Sequence, residues 1–231
     1  AQRFERLAAL LPNAFSWDVL NEVILDEKEY LGLGRIRDVT LPEADRIEFL
    51  AFCLETAREA LGPNVRLVVN DYNLYCQFSI CRSKRLAMRE VVGSLLDRGA
   101  PLDAVGIQSH LTTNAEPPYD AVVEFIEDIS EMGLKVHISE LDMRNIPGNL
   151  DPVALDERHA ARVLAYLQDT LANTSVERLT FWRLGDAGHP VEAVSDEVCG
   201  ERGCTGTALF DRNSEPKPVF WAVVQALENA P

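Results

Sequence analysis

The chain has 231 residues, 47% hydrophobic and 26% charged, an ordinary globular composition with room for one large domain or two small ones. Its 37 acidic against 22 basic residues give a net charge of −15, which argues against a nucleic-acid partner, because such binding runs on clustered Lys and Arg. No apolar run nears the roughly 18–20 residues that cross a membrane, so no membrane partner is expected.

In chain order, residues 2–11 carry Phe4, Leu7, Ala8 and Leu11 at helical spacing, and Pro12 ends that helix. The opening Ala1-Gln2-Arg3-Phe4 thus reads as amphipathic helix rather than signal peptide. Residues 15–22 form the first strand candidate. After a long polar loop, Thr40-Leu41-Pro42-Glu43 reads as a capping box. The helix it opens runs to Gly62 with Ile47, Leu50, Leu54, Ala57 and Leu61 on one face. A second strand over 65–69 ends in Asn70-Asp71-Tyr72-Asn73. Residues 83–98 look helical and stop at Gly99; the basic patch at 82–85 reads as the solvated start of that helix. A third strand spans 104–111. A helix over 118–132 turns Val122, Phe125, Ile126 and Ile129 inward and closes at Gly133. The fourth strand is 135–141, a helix covers about 154–172, a fifth strand runs 178–184, and the last helix begins near Pro218.

Five strand–helix units in strict alternation predict an α/β fold with a parallel sheet, and one domain over residues 1–231. In a (β/α)8 barrel the chemistry sits at the C-terminal mouth of the strands. An open doubly wound sheet also binds there, usually through a Gly-rich phosphate loop. Neither GxGxxG nor GxxxxGK[ST] occurs, so no nucleotide site is expected.

Two strand ends present glutamates: Trp17-Asp18-Val19-Leu20-Asn21-Glu22 and Val136-His137-Ile138-Ser139-Glu140-Leu141-Asp142. Paired carboxylates at the mouths of different strands suit glycosidic bond cleavage, in which one group donates a proton and the other attacks or steadies a cationic sugar. A metal site is not expected. His189, Asp186 and Glu140 lack helical or hairpin ligand spacing, and the cysteines lack close C-x2-C pairs. Cys76/Cys81 and Cys199/Cys204 share a C-x4-C spacing in loop-like stretches, and a short bridge within each pair would imply an oxidising compartment. Cys53, in a helical pattern, reads as a buried thiol.

These residues carry a resemblance. Trp17-Asp18-Val19-Leu20-Asn21-Glu22, Asn70-Asp71-Tyr72-Asn73, Gly106-Ile107-Gln108-Ser109-His110, Ser139-Glu140-Leu141-Asp142, Thr180-Phe181-Trp182 and Leu209-Phe210-Asp211 are similar, in order, to motifs of the family 10 glycoside hydrolases. Those are retaining endo-β-1,4-xylanases with a TIM-barrel fold. The resemblance implies a (β/α)8-type barrel of which this chain spans strands four to eight, about five βα units. It also implies a xylan or xylo-oligosaccharide substrate, no cofactor, and a secreted setting.

By the same resemblance Glu22 is the acid/base and Glu140 the nucleophile. Asn21 bonds the sugar 2-hydroxyl, His110 orients Glu140 with Gln108 beside it, Asn70 and Tyr72 line the cleft, and Trp182 offers a face to a sugar ring. Asp71 and Asp142 orient backbone or basic neighbours, and His137 is structural. Two departures bear on substrate range: Arg183 stands where the family has Gly, and His189-Pro190 replaces a second aromatic platform. Two other readings stay open. One is an incomplete, weak or inactive barrel that at most binds xylan-type sugars and self-associates through its open edge. The other is an unrelated βα-barrel enzyme, such as a metal-assisted hydrolase.

Overall fold

The computed structural model describes residues 2–26, 36–37, 41–112, 116–144, 151–186 and 208–231. Among the described residues twelve elements follow one another: α1 (Gln2–Leu10), β1 (Ser16–Asn21), α2 (Glu43–Leu61), β2 (Arg66–Asp71), α3 (Ser79–Asp97), β3 (Ala104–Ile107), β4 (His110–Thr112), α4 (Asp120–Glu131), β5 (Lys135–Arg144), α5 (Pro152–Leu171), β6 (Val176–Phe181) and α6 (Pro218–Glu228).

The six named strands pair only in parallel among the described residues. β1 pairs β2, β2 pairs β3, β3 pairs β5, and β5 also carries β6 and the short β4. Parallel strands need crossover connections, here mostly helices that cover the sheet, so the central strands carry long buried apolar stretches. All four residues of β3 are buried, as are Leu67, Val68 and Val69 of β2. The expected third strand is two strands. It breaks at Ser109, whose φ of 60° turns the chain so that His110–Thr112 pairs the far end of β5. The count of βα units stays at five.

The helix faces follow the sequence pattern. Ile47, Leu50, Leu54 and Ala57 of α2 are buried, and so are Val122, Phe125, Ile126 and Ile129 of α4. Gly133 (φ 83°) ends α4 in the left-handed region that a side chain resists. Other expectations need correction. Pro42, not Thr40, stands at the N-cap of α2 with no side-chain cap, and Thr40 lies outside the described residues. α1 ends at Leu10, one residue short, with Phe4 partly buried against the core and Leu11 exposed beyond it. α3 starts at Ser79, four residues early, with Cys81 inside it and bridged to Cys76 at a Cα separation of 5.6 Å. The patch at 82–85 is not solvated: Ser83, Lys84 and Arg85 are buried, and Arg85 donates to Leu74 O (2.9 Å) and Cys76 O (2.6 Å). Cys199 and Cys204 lie outside the described residues.

The outer edges of β1 and β6 have no strand partner among the described residues. Beside the β1 edge is a hollow of about 360 Å³ lined by Val19, Leu20, Val23, Phe49, Leu50 and Cys53 together with polar groups at its ends. Cys53 is half-buried there as a free thiol, and burial pushes its pKa up.

Candidate active site

The parallel register brings Asn21 beside Asn70, Asn70 beside Gly106, Ile107 beside Ile138 and Leu141 beside Phe181, so the residues at and just beyond these pairs form one rim. Glu22 follows β1, Asn70 and Asp71 end β2, Gln108 follows β3, His110 opens β4, Glu140 lies in β5, and Trp182 follows β6. Glu22, Asn73 and Ser109 hold φ values of 53°, 55° and 60°. Three non-glycine residues in the left-handed region at neighbouring strand ends mark backbone bent by its surroundings to aim side chains.

Asn70 is the hub. Its fully buried carboxamide donates through Nδ2 to Asn21 Oδ1 (2.9 Å) and Glu140 Oε1 (2.8 Å), and its Oδ1 accepts from Ser139 Oγ (2.6 Å). Its backbone oxygen accepts from Glu22 N at 2.8 Å. The two glutamates are thus tied to one residue. Gln108 adds a second link: its Nε2 donates to Glu22 Oε1 (3.2 Å), and its carbonyl accepts from Glu140 N (3.1 Å).

His110 stands between two carboxylates. Its Nδ1 lies 2.7 Å from Asp142 Oδ1 and its Nε2 lies 3.3 Å from Glu140 Oε2. Carboxylates only accept, so both ring nitrogens are satisfied together by the doubly protonated imidazolium. Burial opposes that charge, but the bonds to Asp142 and Glu140 outweigh it and lift the His110 pKa above its ordinary value. Trp182 presents its edge to this ring, with centroids 6.1 Å apart, and 54% of its surface is exposed. It does not fill the interior.

Tyr72 is reached from the other side. Arg37 donates through Nη2 to Tyr72 Oη (3.0 Å) and through Nε to Glu22 O (2.7 Å). All eight residues singled out from the sequence therefore sit on one rim, joined directly or through one intermediary. His137, deeper in β5, bonds Glu177 Oε1 at 3.0 Å and is away from the rim. Asp71 is wholly buried; burial pushes its carboxyl up, while Lys84 and the amides of Ile24 and Tyr72 pull it down.

The model of glycosyl hydrolase family 10 matches residues 4–226. The chain belongs to that family.

Among family 10 relatives, it is 32% identical over 222 residues to a thermostable celloxylanase of Thermoclostridium stercorarium, covering 90% of this chain and 52% of that protein. It is 29% identical over 223 residues to endo-1,4-beta-xylanase A of Halalkalibacterium halodurans, with the same coverage of 90% and 52%. Xylanase B from Clostridium stercorarium superposes with a TM-score of 0.77 at 29% identity, over 96% of this chain and 64% of that one. A Cellvibrio japonicus xylanase gives 0.79 at 24%, over 99% and 70%. The chain thus spans about half the length of these curated relatives, and its fold is the matching part of the family 10 TIM barrel.

Four residues are given no role in the site by the sequence reading: Arg37, Lys84, Ser139 through its bond to Asn70, and Gly106, the register partner of Asn70. A signal existed for Lys84. Cys81, Lys84, Met88, Val92 and Leu95 recur at helical spacing, so the lysine lies on the apolar stripe of α3.

Proposed function

We propose that this chain bears the catalytic face of a retaining endo-β-1,4-xylanase, with Glu140 as nucleophile and Glu22 as acid/base. The observation that carries the reading is the linkage of Glu22, just past the end of β1, and Glu140, within β5, through Asn70 and Gln108. The difference between their surroundings supports the division of roles. Both Glu140 oxygens face donors, one on a buried amide and one on the His110 ring, as suits a group that must stay ionised. Glu22 Oε1 meets the neutral amide of Gln108.

In the first step a Glu140 oxygen attacks the anomeric carbon and the glycosidic C–O bond breaks. Glu22 gives its proton to the departing oxygen. In the second, Glu22 takes a proton from water, the resulting oxygen nucleophile attacks the same carbon, and the bond to Glu140 breaks. Two inversions return the original configuration, which calls for carboxyl groups about 5–5.5 Å apart. Asn21, held by Asn70, addresses the 2-hydroxyl of the reacting sugar. Tyr72 and Asn70 line the cleft, and the exposed Trp182 face stacks on a sugar ring. Xylan is the substrate class that the relatives' names support, and no cofactor is called on. The Cys76–Cys81 bridge supports an oxidising, secreted setting.

The test is intact-mass analysis after incubation with a 2-deoxy-2-fluoro-β-xylobioside bearing a good leaving group. Fluorine slows the second step, so a glycosyl adduct should accumulate and map to Glu140. An adduct on another residue would sink the assignment.

One observation favours a second reading, a barrel that binds sugar without turning it over and self-associates. β1 and β6 have unpaired outer edges among the described residues, Phe49 is exposed at the hollow beside β1, and Phe52 on the same helix is exposed too. A folded chain that takes no adduct and grows in size with concentration would support it.

A further inference from the structure

Lys84 has no exposed side-chain surface, and Asp71 beside it has none either. Its Nζ lies 2.8 Å from Asp71 Oδ1, 3.0 Å from Asp26 Oδ1, and 3.3 Å from the centre of the Tyr72 ring. Three N–H groups thus meet two carboxylate oxygens and an aromatic face, which satisfies the ammonium completely. Asp71 in turn accepts from the backbone N–H of Ile24 (3.0 Å) through Oδ2 and of Tyr72 (2.9 Å) through Oδ1. Ile24 is two residues beyond Glu22, and Asp26 is four beyond it. The left-handed Glu22 backbone is therefore fastened upstream to Asn70 O and downstream, through Ile24, to the Asp71–Lys84 pair.

Stability alone does not account for this arrangement. A buried ion pair is seldom more stabilising than an apolar pair of the same volume, because desolvating both charges offsets their attraction. What the pair supplies is geometry, since a charged hub with directional acceptors admits few arrangements.

We infer that Lys84 is a positioning residue for the reaction: through Asp71, Asp26 and the Tyr72 ring it fixes the chain on which Glu22 is carried and the aromatic wall beside it. This rests on the assignment of Glu22 as acid/base given above. Lys84 itself touches neither substrate nor reacting atoms.

The experiment compares the whole wild-type chain with Lys84→Met and with Lys84→Met/Asp71→Asn. The double variant leaves no unpaired buried charge, and so stays folded should the single variant not. Amide hydrogen exchange is read first, because it needs no turnover. Exchange at the Glu22 and Ile24 amides should quicken by about tenfold or more, with amides of β3 unchanged. Hydrolysis is read second, on xylan and on a dinitrophenyl xylobioside whose leaving group needs no proton. A displaced acid loses rate only where a proton is required, so xylan turnover should fall at least about tenfold further than turnover of the activated substrate. Fluorosugar labelling of Glu140 should persist.

Unchanged exchange at residues 22–24 would overturn the inference, as would equal losses on the two substrates, which denote only a smaller folded fraction. Should the wild type hydrolyse neither substrate, the proposed activity of this chain fails, and the exchange measurement alone decides the role of Lys84.

Discussion

The side chain of Asn70 occupies the space that a Cβ at position 106 would enter. The two residues are register partners across β2 and β3, and a methyl group built on Gly106 would meet Asn70 Cγ at 3.0 Å and Cβ at 3.1 Å, with the amide oxygen closer still. Because Asn70 holds Asn21, Ser139 and Glu140, a missing side chain on one strand sets the aim of groups on two others.

Gly106→Ala tests that dependence. Overpacking of this kind costs about 1–3 kcal/mol, and a displacement of a catalytic group near 1 Å lowers rate roughly 100-fold. The expected result is a modest drop in melting temperature with a far larger fall in xylan hydrolysis. Loss of both in proportion would mean that Asn70 does not steer the site.

His110 should make stability and protonation depend on pH in a defined direction. Its folded pKa lies above the ordinary value, with burial overcome by Asp142 and Glu140. The folded state therefore holds the proton more tightly. The stability this contributes is complete below about pH 6.5 and is lost as pH rises through the elevated folded pKa. Melting curves of wild type and His110→Gln should differ most at acidic pH and converge on the alkaline side. A constant gap across the range would count against the imidazolium.

His159 on α5 has the opposite sign. It is buried, its Nε2 has no hydrogen-bond partner among the described residues, and desolvation, helped by Lys217, lowers its pKa to about 4. The unfolded chain binds the proton first, so the contribution is intact above about pH 6.5 and falls away down to about pH 4, by roughly 3 kcal/mol. His159→Leu should flatten this part of the acid limb. An unaltered pH–stability curve in the variant would refute the shift.

Trp182→Ala should separate binding from folding. The indole is more than half exposed, and its one ring contact among the described residues is a T-shaped approach to His110. Folding stability should change by no more than about 0.5 kcal/mol, while xylohexaose affinity measured by calorimetry drops about tenfold. Undiminished affinity would remove Trp182 from the site.

The Cys76–Cys81 bridge closes a short loop just before the buried part of α3. Replacing both cysteines with serine should lower stability by roughly 2 kcal/mol on loop-closure grounds. Denaturant midpoints would report it, and an unchanged midpoint would show that α3 nucleates without the bridge.

The alternation of strand and helix, the apolar faces of α2 and α4, and the two glutamates that close short apolar runs were all legible in the residue order. Each of these is written in the spacing of neighbouring residues: the 3.6-residue period marks a helix face, a short apolar run a buried strand, and the residue after that run its mouth. The burial of Lys84, the break of the third strand at Ser109 and the room that Gly106 leaves for Asn70 emerge only once distant segments pack together. A charge is buried only where other segments bring groups that satisfy it, and for Lys84 these are Asp71 and Asp26, 13 and 58 residues away along the chain. Local pattern records which side of an element is apolar, whereas partners so distant are chosen by packing.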